Sequence, residues 1–174
     1  MNLEVPDKVP YEDGNHCIFY AVQDASIYFN QKPLKVEDRD KIGRQKDRAP
    51  SIYLSITGLK EEKGGWFKLS MGILMENLRE NGIVPDKIWC IQDAKEVLEN
   101  LNFIKRENIC VKAVSGSVEI EYPSILVIQA GKNREGNHVW FCKSQEDYEK
   151  DYNGHVCKGD NIILAAHLKK MEQQ

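Results

Sequence analysis

Apolar residues recur at helical spacing in the first hundred positions and at strand-like spacing afterwards. From His16 to about Asn30, HCIFYAVQDASIYFN sets Ile18, Val22 and Ala25 on one face with Phe29 a turn later, which predicts a helix. Asp13 or Asn15 can cap it, and Gln31-Lys32-Pro33 stops it. Residues 1–13 lack periodicity and read as an extended arm ending in the turn Glu12-Asp13-Gly14-Asn15. Val36 to Arg48 is a charged stretch, a short exposed helix or a loop. Ser51–Thr57 is a short apolar segment, and Lys63-Gly64-Gly65-Trp66 reads as a glycine-rich loop. A second clear helix is expected from Met71 to Asn81, capped by Ser70, striped by Ile73, Leu74 and Leu78, and ended by Asn81-Gly82. Ala94, Val97, Leu98 and Leu101 predict a third from Asp93 to about Leu101.

After Ile104 the runs Ile109–Ala113, Ser115–Glu121, Ile125–Gln129, His138–Cys142 and Ile162–Leu168 read as strands. Their connections are short except for Lys143–Asp160, a polar stretch too long for an idle hairpin. Helices first and antiparallel-looking strands later is an α+β pattern. With no repeat, linker or low-complexity segment, the expectation is one domain over 1–174, its helical half at about 1–103 and its sheet half at about 104–170.

Charge and composition narrow the function classes. The 174 residues carry 24 Lys+Arg against 27 Asp+Glu, a formal net charge of −3, with no basic stripe to neutralise a row of phosphates. Nucleic acid is therefore not an expected partner. No apolar run approaches the roughly 18 residues of a membrane span. The opening residues MNLEVPDKVPYEDGNHC lack the basic start and apolar run of a signal peptide, so a cytoplasmic location is expected. Five cysteines, Cys17, Cys90, Cys110, Cys142 and Cys157, form an odd set with no CxxC pair. That pattern fits a reduced protein whose thiols are mostly small buried hydrophobes.

Cys17 stands apart, because a cysteine in the first turn of a helix meets unpaired N–H groups that favour a thiolate. A nucleophilic thiol also needs a base. The best-placed histidine is His138, which follows Gly136-Asn137 and opens the strand HVWFC; His16, His155 and His167 are less apt. A third group must hold the imidazole, and the connection after His138 offers Asp147, Asp151, Asn153 and Asp160, which spacing does not separate. Trp140 should share the face of His138 and shield its ring, or belong to the core. A metal reading would join His155 and Cys157 to Cys142 or His138, but HxC is a weak signal and no metal is expected.

The cysteine at the start of GNHCIFYAVQDA, the helical stretch after it and the histidine of GNHVWFC in a β-rich second half together resemble the papain-like cysteine peptidases. The layout is similar to the compact bacterial forms, staphopain-like peptidases and the leader-cleaving domains of bacteriocin exporters, over roughly residues 11–168. The resemblance implies a papain-like α+β fold in which an N-terminal helical half packs on a C-terminal antiparallel sheet. It implies a Cys17–His138 pair completed by Asn153 or Asp151, about 15 residues beyond the histidine, with Asn153 the first choice. In those families a glutamine about six residues ahead of the cysteine serves the oxyanion. Here that position is Tyr11, which leaves Asn15 and the Cys17 N–H as donors. Gly65 and Trp66 fall where such enzymes line their substrate groove; the plain alternative is a glycine turn leading an aromatic pair into the core. The expected activity is hydrolysis of a peptide or amide bond without cofactor or metal, on a peptide or protein substrate. The same triad serves acyltransferases and transglutaminase-like enzymes, and Tyr11 in place of glutamine also fits an inactive papain-like module that binds a protein partner.

Overall fold

The computed structural model describes residues 7–11, 16–47, 64–99, 101–116, 118–129, 137–155 and 161–172. The elements run α1 (Cys17–Asn30), α2 (Val36–Asp47), α3 (Gly64–Glu80), β1 (Ile83–Cys90), α4 (Gln92–Leu98), α5 (Asn102–Arg106), β2 (Cys110–Ala113), β3 (Ser124–Gln129), β4 (Asn137–Cys142), α6 (Gln145–His155) and β5 (Asn161–Lys170). The fold is α+β, with helices dominating the first half around a five-stranded sheet ordered β2-β1-β5-β3-β4.

The sheet is mixed, which corrects the expectation of a C-terminal antiparallel one. β1 runs parallel to β2, while β1–β5, β5–β3 and β3–β4 are antiparallel. The parallel pair needs a crossover, and α4 and α5 provide it. β1 also lies before position 104, outside the expected sheet half. Its sequence IVPDKIWC hides the strand because Pro85, Asp86 and Lys87 interrupt the alternation; a register shift between Pro85 and Lys87 accommodates the proline at an irregularity in the ladder. β5 sits at the sheet's centre, and its run IILAAHL is nearly continuous in apolar residues because both faces are covered.

Three other expectations change. α3 begins at Gly64, so the glycine-rich stretch is helical and Ser70 lies inside the helix rather than capping it. Burial of Phe67, Met71, Leu74 and Leu78 at helical spacing outweighs the poor propensity of two glycines in the first turn. The third helix ends early, at Leu98, as α4, and a further short helix, α5, follows Leu101. Ser115–Glu121 is not a strand: Val118 and Ile120 alternate because they pack onto the sheet, without joining a ladder. Ser51–Thr57 lies outside the described residues.

The main core lies between the sheet and α1, α3, α4 and α5. α1 is buried around most of its circumference, from Ile18 through Val22 and on to Ile27, because it packs on β4 and against α2 and α3. The arm 7–11 covers another side. Gln23, fully buried, accepts the Val9 N–H through Oε1 at 3.1 Å and donates through Nε2 to the Val9 carbonyl at 2.9 Å. The Tyr20 hydroxyl donates to the Pro10 carbonyl at 3.2 Å. These bonds fix the arm beside the start of α1. On the opposite face of the sheet a smaller cluster, Leu126, Ile128, Trp140, Cys142 and Ala165, packs under Val118, Ile120, Tyr122 and Tyr148 of α6. None of the described helices is long and apolar enough to cross a membrane.

Candidate active site

Cys17 is the first residue of α1 and is half-buried. The residue before it, His16, holds the cap position without a side-chain cap bond, and its carbonyl accepts the Tyr20 N–H at 3.1 Å. The Cys17 thiol thus lies where first-turn N–H groups have no helical acceptor. Asp13 and Asn15, the expected caps, lie outside the described residues, and so does the oxyanion role assigned to Asn15.

Cys17 and His138 open into one cavity of about 300 Å³. α1 contributes Cys17, Tyr20, Ala21 and Asp24, at relative positions 0, 3, 4 and 7, so they form one stripe along the helix. β4 contributes His138, Val139, Trp140 and Phe141, four consecutive residues. Alternate strand residues point to opposite faces, so one space can touch all four only by running along the edge of the strand. β4 is the last strand in the sheet order, which makes this possible.

The alternation also settles orientation. Val139 and Phe141 belong to the core that contains α1, whereas Trp140 belongs to the cluster on the other face. His138 goes with Trp140: their rings stack at 5.8 Å with 19° between planes. The shared face expected for these two residues is present, and His138 reaches the cavity from the side of the sheet away from α1.

The remaining walls come from the arm and from the start of α6. Tyr11, 66% exposed, stands at the lip with its ring 4.9 Å from that of Tyr20. Lys143 and Asp147 line the far side, with Nζ and Oδ2 3.4 Å apart. Asp147 is placed by local chemistry, since its N–H donates to the Ser144 hydroxyl at 3.1 Å and Ser144 caps α6. Asp24 forms a looser ion pair with Lys8 at 3.8 Å.

Of the four candidates for the third group, Asp147 is the one whose side chain is seen at the cavity. Asp151 and Asn153 lie within α6 rather than in a loop or hairpin turn, their side chains outside the described set; Asp160 is outside it altogether. The polar Lys143–Asp160 connection therefore contains a helix. The pattern Ser144-x-x-Asp147, with Glu146 beside it, is the N-terminal signal that reveals α6. Asp24 and Gln23 were not foreseen; Asp24 was detectable as the next charged position on the Cys17 stripe, whereas nothing in the sequence marks Gln23 as the tether of the arm. The side chains of Gly65 and Trp66 are outside the described residues.

Of the other thiols, Cys110 is exposed, whereas Cys90 and Cys142 contrast with Cys17. Cys90 is fully buried, donates weakly to the Lys112 carbonyl at 3.8 Å, and has its pKa pushed up to about 12 by burial. Cys142 is buried and directs its thiol to the Ser144 carbonyl at 3.4 Å. Among the described residues no group of three His, Cys, Asp or Glu side chains is placed to hold a metal ion. Compared with protein-family models, with curated proteins and with solved structures, the chain matches none.

Proposed function

We propose that the protein is a cysteine hydrolase of the papain-like kind that cleaves a peptide or amide bond, with Cys17 as nucleophile and His138 as base. The observation that carries this reading is the single cavity into which a first-turn cysteine and a strand histidine both open. His138, reaching the cavity round the edge of β4, takes the thiol proton through one water. The sulfur attacks the carbonyl carbon, the C–N bond breaks, and the imidazolium returns the proton to the departing amine. Water then adds to the thioester, giving up a proton to His138, and the carboxylic acid leaves as the thiol reforms.

The Cys17 N–H is one oxyanion donor, and the Tyr11 hydroxyl at the lip is the second. Asp147 orients the imidazole, with Asp151 one turn further along α6 and Asn153 as the alternatives. An acyltransferase uses the same first half-reaction with an amine in place of water.

The test is incubation of the native protein and Cys17→Ala with pooled synthetic peptides, with and without an added primary amine, read by mass spectrometry. Cleavage or amine incorporation by the native protein, lost in the variant, is expected. Cleavage that survives in Cys17→Ala, or no new product under either condition, removes the reading and leaves an inactive papain-like module that binds a protein partner.

A further inference from the structure

β4, at one end of the sheet, borders the cavity, whereas β2, at the other end, pairs with β1 alone. The Val114 N–H donates to the Cys90 carbonyl at 2.9 Å, which fixes the phase of the parallel β1–β2 ladder. Main-chain groups alternate sides along a strand, so Cys110 and Lys112 turn theirs towards β1. The Lys112 carbonyl accordingly lies 3.8 Å from the Cys90 thiol on that strand. The N–H and C=O groups of Val111 and Ala113 therefore point out of the sheet, and none of them has a hydrogen-bond partner among the described residues. Such a row is a template for one more strand.

The side chains of β2 select that strand. Val111 and Ala113 are half-buried, Val111 against the main core, while Cys110 and Lys112 are exposed on the other face. The Lys112 ammonium lies 5.2 Å from the Trp89 ring centre and has no carboxylate partner among the described residues. Lys87, which also lies over that ring, is already bonded to Glu121. A strand added antiparallel through Val111 and Ala113 sets its middle residue opposite Lys112, with about 4.5 Å between the Cα atoms. A second copy of β2 in that place would bring Lys112 against its own counterpart, a like-charge pair that opposes self-association. An acidic side chain there makes an ion pair instead, and its two neighbours fall beside Val111 and Ala113. We infer that β2 is a docking edge for an extended segment of another protein whose three central residues are apolar, acidic and apolar. This edge is separate from the cavity and from the chemistry proposed there.

Two acetylated and amidated octapeptides, alike except for a central Val-Glu-Ile or Val-Lys-Ile, are titrated into isotope-labelled Cys17→Ala protein, which leaves the probes uncleaved. Amide NMR shifts and hydrogen exchange are read residue by residue. The Glu peptide should shift and protect the Val111 and Ala113 amides, and should bind about fivefold more tightly than the Lys peptide. Lys112→Glu, a change at an exposed position, should reverse that order. Methylating the Val and Ile amides of the Glu peptide should abolish binding, because those amides form the new ladder. Equal binding of the two peptides, a preference unchanged in Lys112→Glu, or binding that survives methylation overturns the inference. So does the absence of any shift at millimolar peptide. Protection of Val111 and Ala113 that rises with protein concentration in the absence of peptide would assign the edge to a second copy and overturn it too.

Discussion

Two regions of this protein bring a cysteine and a histidine towards one another, and the proposed function assigns chemistry to only one of them. In the row β2–β1–β5, Cys110 pairs with Lys87 and Lys87 with His167, so the thiol and the imidazole are two strands apart. At about 4.8 Å per strand that is roughly 10 Å. Lys87 fills the gap, hydrogen-bonded to Glu121 at 2.9 Å and lying 5.3 Å from the Trp89 ring centre. That bond to Glu121 raises the Lys87 pKa and lowers that of Glu121. His167 is already held by Asp86 at 2.7 Å, and the hydroxyl of its cross-strand neighbour Ser124 donates to the Glu121 carbonyl. At the α1–β4 edge the thiol comes from a helix end, which is free of the strand spacing, and both groups open into one cavity. A His–Asp pair is therefore a poor marker of chemistry by itself; a thiol and an imidazole that share an accessible space are a better one.

The largest expected difference between the two regions is in activity. Cys17→Ala should lower turnover on the order of 10⁴-fold or more, while Cys110→Ala leaves it unchanged. Peptide cleavage assays on the two variants decide this, and equal losses would erase the contrast. Next in size is the histidine comparison. His138→Ala is expected to reduce kcat by about 10²–10⁴-fold, and His167→Ala to reduce it not at all, removing only a partly exposed pair worth under about 1 kcal/mol of stability.

A smaller effect belongs to the arm that positions Tyr11. Gln23→Ala strands the Val9 N–H and carbonyl and should destabilise the fold by about 1–3 kcal/mol, read from the denaturant midpoint. An unchanged midpoint would mean that the arm is held by other contacts.

The last effect is confined to alkaline pH and does not touch the site. Burial raises the Cys90 thiol from its ordinary value of 9.0 to about 12 in the folded chain. Between these values the unfolded chain has lost the proton and the folded chain still holds it, so stability falls as pH rises from about 9 to 12. Tyr122, also raised to about 12 by burial, adds to the same fall. Cys90→Ala should flatten part of that slope, and identical alkaline profiles for the two proteins would show that Cys90 plays no part.

The strongly periodic helices and most strands were legible in the sequence. α1, the run through β3 and β5, and the HVWFC strand emerge from spacing alone, because burial on one face imposes it. β1 did not, since Pro85 and the Asp86-Lys87 pair break the pattern at a register irregularity. α6 did not, because its surface is mostly polar, and its signal is the capping pattern at Ser144–Asp147 rather than an apolar stripe. Of the residues that line the cavity, Cys17 and His138 stand out in the sequence by residue type and local position. Asp24 and the tether from Gln23 to Val9 do not, since they depend on which helix face meets the cavity and on a contact across 14 residues of chain.

The most direct measurement of the central claim is the site-resolved rate of iodoacetamide labelling at about pH 6, Cys17 against the solvent-exposed Cys110, in the native protein and in His138→Ala. The account predicts that half-buried Cys17 labels at least about tenfold faster than exposed Cys110, and that this advantage disappears with the histidine. Labelling of Cys17 no faster than Cys110 and indifferent to His138 would contradict it.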